Sequence, residues 1–351
     1  MRTLLNISIP TFNRPEYLWR CLKSIKSAIN ELNECDRQLV SVYVSDNSDD
    51  EKSKEVVGLN EFYGLNVIYS RNEENIGSDK NIARCYLYDS SDYVMVLGDD
   101  DFISLNSLSH ILPFLALNKY PIVFLKSYGL TRNENQLRED RLKDTLEFNS
   151  VIDVLMTRNM NLTFISSMIF RRSDYSDLNV NEGVGTNLVQ LNLVLYLLNR
   201  WGGKSLAINA NLVLSTRNNT GGYDPIEIFG ISFFNAIEKY SALGTTGFSI
   251  FVLKKKLLHT FYNRSVAQYM RRTGGVLSST SLSVFDNWFC KSLTYKLFYR
   301  PLFCWNSTFS FYMLSLAYVV GNMFYNPIVK TYDFFYHFKT CLRIYLPAKN
   351  F

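Results

Sequence analysis

Histidine is scarce, with three in 351 residues, and none sits beside a cysteine pair. The six cysteines, at 21, 35, 85, 290, 304 and 341, never fall in a Cys-x-x-Cys spacing. A zinc site and a disulfide framework are therefore poor readings, and the thiols read as reduced. Proline (8) and glycine (17) are too few for a collagen-like or low-complexity chain. No window is long and apolar enough for a clear membrane span: the best, 309–324, contains Ser310, Ser315, Gly321 and Asn322. The first apolar run, 4–10, contains Asn6 and has no small-residue cleavage site. The expectation is a cytoplasmic chain without a signal peptide.

What is present is a folding composition, 47% hydrophobic and 20% charged. Charge is unevenly placed. Residues 251–351 hold 13 Lys/Arg against 2 Asp/Glu, although the whole chain is only +5. The same segment carries 25 aromatic residues, and 301–329 has no charge at all. A basic, aromatic region around an uncharged core suits an anionic membrane surface, at which the chain would sit peripherally. No nucleic-acid-binding motif accompanies the charge, so no nucleic-acid partner is expected.

Apolar runs at 4–10, 39–44, 65–69 and 93–97 read as strands. A helix opens at Pro15, and another covers 79–86. This alternation predicts an α/β fold with a mostly parallel sheet flanked by helices. Further strands are expected at 122–125, 162–170 and 207–214, a charged loop or helix at 131–144, and a helix at 189–198. From 226 the pattern is helical. The expected division is 1–225, with halves 1–105 and 106–225, and a helical region 226–351.

In a parallel sheet, ligands bind beyond the carboxyl ends of the strands. Polar residues collect there: Thr11 and Asn13 after the first strand, Asp46 after the second, Asp99-Asp100-Asp101 after the fourth. Three adjacent carboxylates repel one another unless a cation neutralises them, and a divalent hard cation does so with oxygen ligands. Such a cation can also stabilise a leaving diphosphate.

Four ordered blocks carry a resemblance. Ile7-Ser8-Ile9-Pro10-Thr11-Phe12-Asn13-Arg14, Val44-Ser45-Asp46-Asn47-Ser48, Asn75-Ile76-Gly77-Ser78-Asp79-Lys80-Asn81 and Val96-Leu97-Gly98-Asp99-Asp100-Asp101 together resemble glycosyltransferase family 2, which has the GT-A fold. The resemblance is dense over 4–105 and weak to about 225. It implies a nucleotide-sugar donor held by Pro10, Thr11, Asn13, Asp46, Lys80 and Asp99. It implies a divalent metal, Mg²⁺ or Mn²⁺, on Asp100 and Asp101. Arg217, in a glycine-rich loop, would close over the diphosphate.

One feature departs from the family. An inverting reaction needs a carboxylate base ahead of the apolar helix at 189–198, and Gln190-Leu191 stand there instead. For inversion Glu182, or else Asp101, is the expected substitute; a retaining enzyme needs no such base, because the leaving diphosphate can take the proton. The implied acceptor is a glycan, carried on a lipid diphosphate at the inner face of the cell membrane, as in O-antigen or capsule assembly. Chains of this kind also resemble bacterial transferases of 3,6-dideoxyhexoses such as abequose. The competing readings are a nucleotidyltransferase and a non-catalytic scaffold that binds nucleotide sugars. The first usually has a glycine-rich loop after the first strand, which Pro10-Thr11-Phe12-Asn13 does not supply, and the second sits poorly with an intact aspartate cluster.

Overall fold

The computed structural model describes residues 3–88, 91–129, 144–215, 226–240 and 247–325. The chain divides into two compact units. One is Met1–Gly221 with Ala236–Leu243, the other Gly222–Asn235 with Gly244–Phe351.

The first unit is built on a mixed sheet. Its strands are β1 (Thr3–Thr11), β2 (Val40–Asp46), β3 (Val67–Arg71), β4 (Ser91–Val96), β5 (Phe102–Ile103), β6 (Ile122–Gly129), β7 (Thr145–Asn149), β8 (Met168–Arg171) and β9 (Lys204–Ser215). Their order is β3-β2-β1-β4-β8-β6-β9-β5, with β7 also paired to β9. The first four strands in that order are parallel, as the alternating pattern predicts. Beyond β4 the sheet is mixed: β8 runs antiparallel to β4 and β6, β6 and β9 are parallel, and β5 and β7 run antiparallel to β9.

The helices of this unit are α1 (Pro15–Asn30), α2 (Glu34–Arg37), α3 (Lys52–Val57), α4 (Ser78–Leu87), α5 (Ser107–Ala116), α6 (Val151–Arg158) and α7 (Val189–Arg200). Helix α1 starts with Pro15 in its first turn, where the missing N–H costs nothing. It buries Leu18, Cys21, Leu22, Ile25 and Ile29, spaced to lie on one face. These residues share a core with Leu5, Ile7 and Ile9 of β1, Val42 and Val44 of β2, and Ile111 and Leu115 of α5. Burial on both faces of β1, β2 and β4 explains why these strands read as apolar runs, while the edge strand β3 is only partly buried.

The strand expected at 162–170 is much shorter, and only its end pairs, as β8. Before it the chain makes 3₁₀ turns at Asn159–Thr163 and Ile165–Ser167. Hydroxyl groups explain the difference. Thr163 Oγ1 donates to the Met160 carbonyl (2.7 Å) and Ser167 Oγ to the Phe164 carbonyl (3.0 Å), local bonds that compete with a ladder. Of the charged stretch 131–144, only Asp144 falls within the described residues.

The second unit is helical. It contains α9 (Gly247–Leu257), α10 (Asn263–Thr273), α11 (Ser279–Trp288), α12 (Arg300–Cys304) and α13 (Thr308–Tyr325), and α8 (Phe233–Lys239) precedes them in the chain. Its core is aromatic. Phe285 lies within ring contact of Tyr262, Trp288, Tyr295 and Phe303, at centroid distances of 5.2 to 6.4 Å. The Lys254 ammonium sits over Phe234 and Trp288, 4.7 and 4.6 Å from the ring centroids, a cation–π arrangement.

Candidate active site

The parallel register brings the carboxyl ends of β1, β2, β3 and β4 side by side. Thr11 pairs with Asp46, and Asp46 with Arg71. Ser8 pairs with Val96, so Thr11 and Asp99, each three residues further on, emerge together. There Thr11 Oγ1 donates to Asp99 Oδ2 at 2.8 Å. Arg14, in the first turn after β1, grips the same carboxylate with two nitrogens: Nε to Oδ2 at 3.2 Å, and a terminal nitrogen to Oδ1. Its other terminal nitrogen lies 3.7 Å from Asp100 Oδ2.

A cleft of about 400 Å³ opens over this cluster. Pro10, Thr11, Phe12, Arg14, Gly98, Asp99, Asp100 and Ile165 line one part, and Asn47, Asn75, Gly77, Ser78, Asn81 and Ile82 the rest. Its charged lining is Arg14, Asp99 and Asp100. Asp99 is fully buried, and burial lifts its carboxyl to about 6. The Arg14 guanidinium and the Thr11 hydroxyl pull the other way, and Asp100 adds to the lift. Asp100 keeps 29% of its side chain exposed and faces the cleft.

Gly98 makes this crowding possible. A Cβ there would stand 3.2 Å from both Asp100 Oδ1 and Asp101 Oδ2, and 3.5 Å from Ser166 Oγ. The Ser166 hydroxyl accepts the Gly98 N–H (2.9 Å) and donates to Asp101 Oδ2 (2.5 Å). Asp101 is thus buried behind the glycine and does not line the cleft.

The other expected site residues fall in different places. Asn13 adopts a left-handed backbone (φ 52°), and its side chain exchanges bonds with the Asp49 turn after β2, so it shapes the loop. Asp46 is fully buried and accepts from Ser48 N at 2.8 Å and Tyr69 OH at 2.7 Å. Its carboxylate braces the loop from behind and is not offered to a base. Lys80 is exposed on α4 and does not line the cleft. The neighbouring Asp79 instead caps Gly185 N (2.7 Å) and Asn187 N (2.9 Å). Glu182 is not brought to the cleft: its carboxylate pairs with Lys239 at 2.8 Å, each side chain about half exposed. Gln190, at the position expected for a base, is buried and donates to the Thr163 carbonyl. Arg217 lies outside the described residues.

Two residues were missed in the sequence. Arg14 stands in the first resembling block without an assigned role, but a cation three residues beyond a strand that neighbours an acidic strand end is a usable signal. Asn81 is buried and ties α4 to both strands, donating to the Ser45 (3.0 Å) and Thr11 (3.4 Å) carbonyls and accepting from Ser45 Oγ (2.7 Å).

Among the described residues, no group of three or more His, Cys, Asp or Glu is arranged to hold a metal. The donor set fits a cation that completes its shell on substrate phosphates, since Mg²⁺ needs only one or two carboxylates when phosphates supply further oxygens.

The Glycosyl transferase family 2 profile matches residues 7–178, which span β1 to β8 and the whole cluster. This segment is a family 2 glycosyltransferase domain. The abequosyltransferase RfbV of Salmonella typhimurium is 25% identical over 233 residues, covering 62% of this chain and 67% of that protein. The family 2 domain and this relative mark the protein as a glycosyltransferase. The crystal structure of S. aureus TarS 1-349 superposes with a TM-score of 0.52 at 13% identity, over 98% of this chain and 89% of that one. Its complex with UDP-GlcNAc gives 0.52 over 92% and 91%. At this identity the likeness establishes the fold, which is GT-A-like.

Proposed function

We propose that the cleft binds a nucleotide-sugar donor, and that the protein moves the sugar to a glycan acceptor in the assembly of a bacterial surface polysaccharide. One observation carries this reading. Thr11 and Arg14 fix Asp99 at the carboxyl edge of parallel strands, while Asp100 is left facing the cleft.

The residues divide the work. Phe12 is exposed at the cleft and offers a flat apolar surface to a base or sugar ring. Arg14 places positive charge where a diphosphate would lie. Asp99 orients Arg14 and stands level with the ribose position that the family resemblance implies. Asp100 would hold Mg²⁺ or Mn²⁺, which when bound neutralises charge on the leaving diphosphate, while Asp101, bonded to Ser166, stands buried behind it and is not placed as a ligand. Asp46 braces the loop after β2, and Asn13 ties the loop after β1 to it. The base of an inverting reaction is assigned neither to Glu182 nor to Asp101, because neither lines the cleft.

The likeness to an abequosyltransferase supports a deoxyhexosyl donor and an O-antigen setting. The basic, aromatic segment 251–351 supports an acceptor on a lipid diphosphate, met at the cytoplasmic face of an anionic membrane.

Incubation with Mn²⁺ and a panel of UDP-, GDP-, CDP- and dTDP-sugars tests the reading through nucleotide release. Release from one donor, lost on chelation, is the expected result. Tight nucleotide binding without turnover, in the presence of acceptor lipid extracts, would favour a scaffold instead.

A further inference from the structure

Helix α13 carries no charged residue along its 18 positions. Its inner face is locked into the second unit. Ser310, Leu314 and Val319 are buried. A Cβ on Gly321 would lie 2.1 Å from the His259 carbonyl oxygen, so the helix backbone presses directly on the π-helical turn Leu258–Tyr262. The opposite face is open. Phe309 is 55% exposed, Tyr312 37%, Leu316 43%, Val320 40% and Phe324 80%. Steps of three and four residues put all five on one stripe. Trp305, also exposed, extends it, with its ring centroid 6.0 Å from that of Phe309.

An apolar stripe of this kind on a soluble helix marks an interaction surface. The charge of the same region selects the partner. Residues 251–351 hold 13 Lys/Arg against 2 Asp/Glu, and one of those two acids, Asp286, is already paired with Arg300 at 2.7 Å. Lys291 and Lys296 are exposed beside the equally exposed Leu293 and Leu297. A second copy would bring like charge against like charge. An anionic lipid surface complements both the apolar stripe and the lysines.

We propose that the exposed stripe of α13, from Trp305 to Phe324, is the membrane-docking face, lying flat in the headgroup region of an anionic bilayer. This deepens the membrane-side reading above and rests on it. The inner face is committed to packing, so the helix meets lipid along one side only. Among the described residues, no helix is long and apolar enough to cross a membrane.

Co-sedimentation of the full chain with phosphatidylglycerol/phosphatidylethanolamine vesicles, against phosphatidylcholine alone, tests the face. Wild type is expected to bind the anionic vesicles. The Phe309→Ser/Leu316→Ser variant is expected to bind about tenfold or more weakly, with an unchanged circular dichroism spectrum and unchanged nucleotide release. Brominated acyl chains are expected to quench the tryptophan fluorescence of wild type but not of Trp305→Phe, a readout that survives if the double variant misfolds. Undiminished vesicle binding by the folded double variant, or quenching that persists in Trp305→Phe, would overturn the face. So would a wild-type dimer that the double variant converts to monomer. A wild type that binds no vesicles would overturn the membrane-side reading as well. Nucleotide release measured on the same samples would still report on the donor site separately.

Discussion

Arg14 holds Asp99 by two nitrogens and reaches to within 3.7 Å of Asp100 with the third. One guanidinium therefore ties the buried aspartate to the cleft-facing one. Replacing Arg14 with alanine leaves a fully buried carboxylate without its cation. We expect a loss of about 2 kcal/mol in denaturant unfolding, less than for a fully buried pair because the arginine is partly exposed. Nucleotide release should fall by about 10²-fold or more. Lysine at this position keeps the charge without the two-pronged grip and should recover only part of the rate.

Gly98 has the two carboxylates and Ser166 packed against it. Gly98→Ala forces them apart by a few tenths of an ångström. Turnover should drop several-fold while the unfolding midpoint changes little. A variant with wild-type kinetics would show that the spacing of Asp100 and Asp101 does not matter.

The carboxyl of Asp99 is raised to about 6 from an ordinary 3.8, chiefly by burial. The folded state therefore binds a proton more tightly than the unfolded state. Stability from this group is fully present below pH 3.8, declines as pH rises through 6, and is constant above. The shift corresponds to about 3 kcal/mol at most. Urea unfolding of the metal-free protein between pH 4 and 8, compared with Asp99→Asn, should show this slope in the wild type only. Activity should move the opposite way, with an acid limb near pH 6, because only the ionised carboxylate holds Arg14.

Glu182 sits in a half-exposed pair with Lys239. Such pairs contribute about 0–1 kcal/mol. Glu182→Gln should leave nucleotide release and transfer within about twofold of wild type and cost well under 1 kcal/mol. A loss of transfer with donor binding intact would restore Glu182 as a base.

The strands β1, β2 and β4 and their polar ends were legible because parallel strands buried on both faces read as apolar runs that stop at Thr11, Asp46 and Asp99. The antiparallel return of β8 was not legible, since Thr163, Ser166 and Ser167 sit in an apolar-looking segment and direct their hydroxyls to local carbonyls and to Asp101. The family resemblance placed Asp46 and Lys80 in the site. Depth separated them, with Asp46 sealed beneath Ser48 and Tyr69 and Lys80 turned out to solvent. Arg14 could be found only by placing the turn after β1 opposite the end of β4.

The most direct test of the donor cleft compares wild type with Asp100→Asn, using Mn²⁺ and the donor that the panel identifies. Asp100 is partly exposed, so the variant should fold normally. Nucleotide release is expected to fall by about 10²–10³-fold, with the free nucleotide bound more weakly in the presence of metal and equally well in its absence. Release at the wild-type rate from a folded Asp100→Asn protein would contradict the assignment of this cleft as the catalytic site.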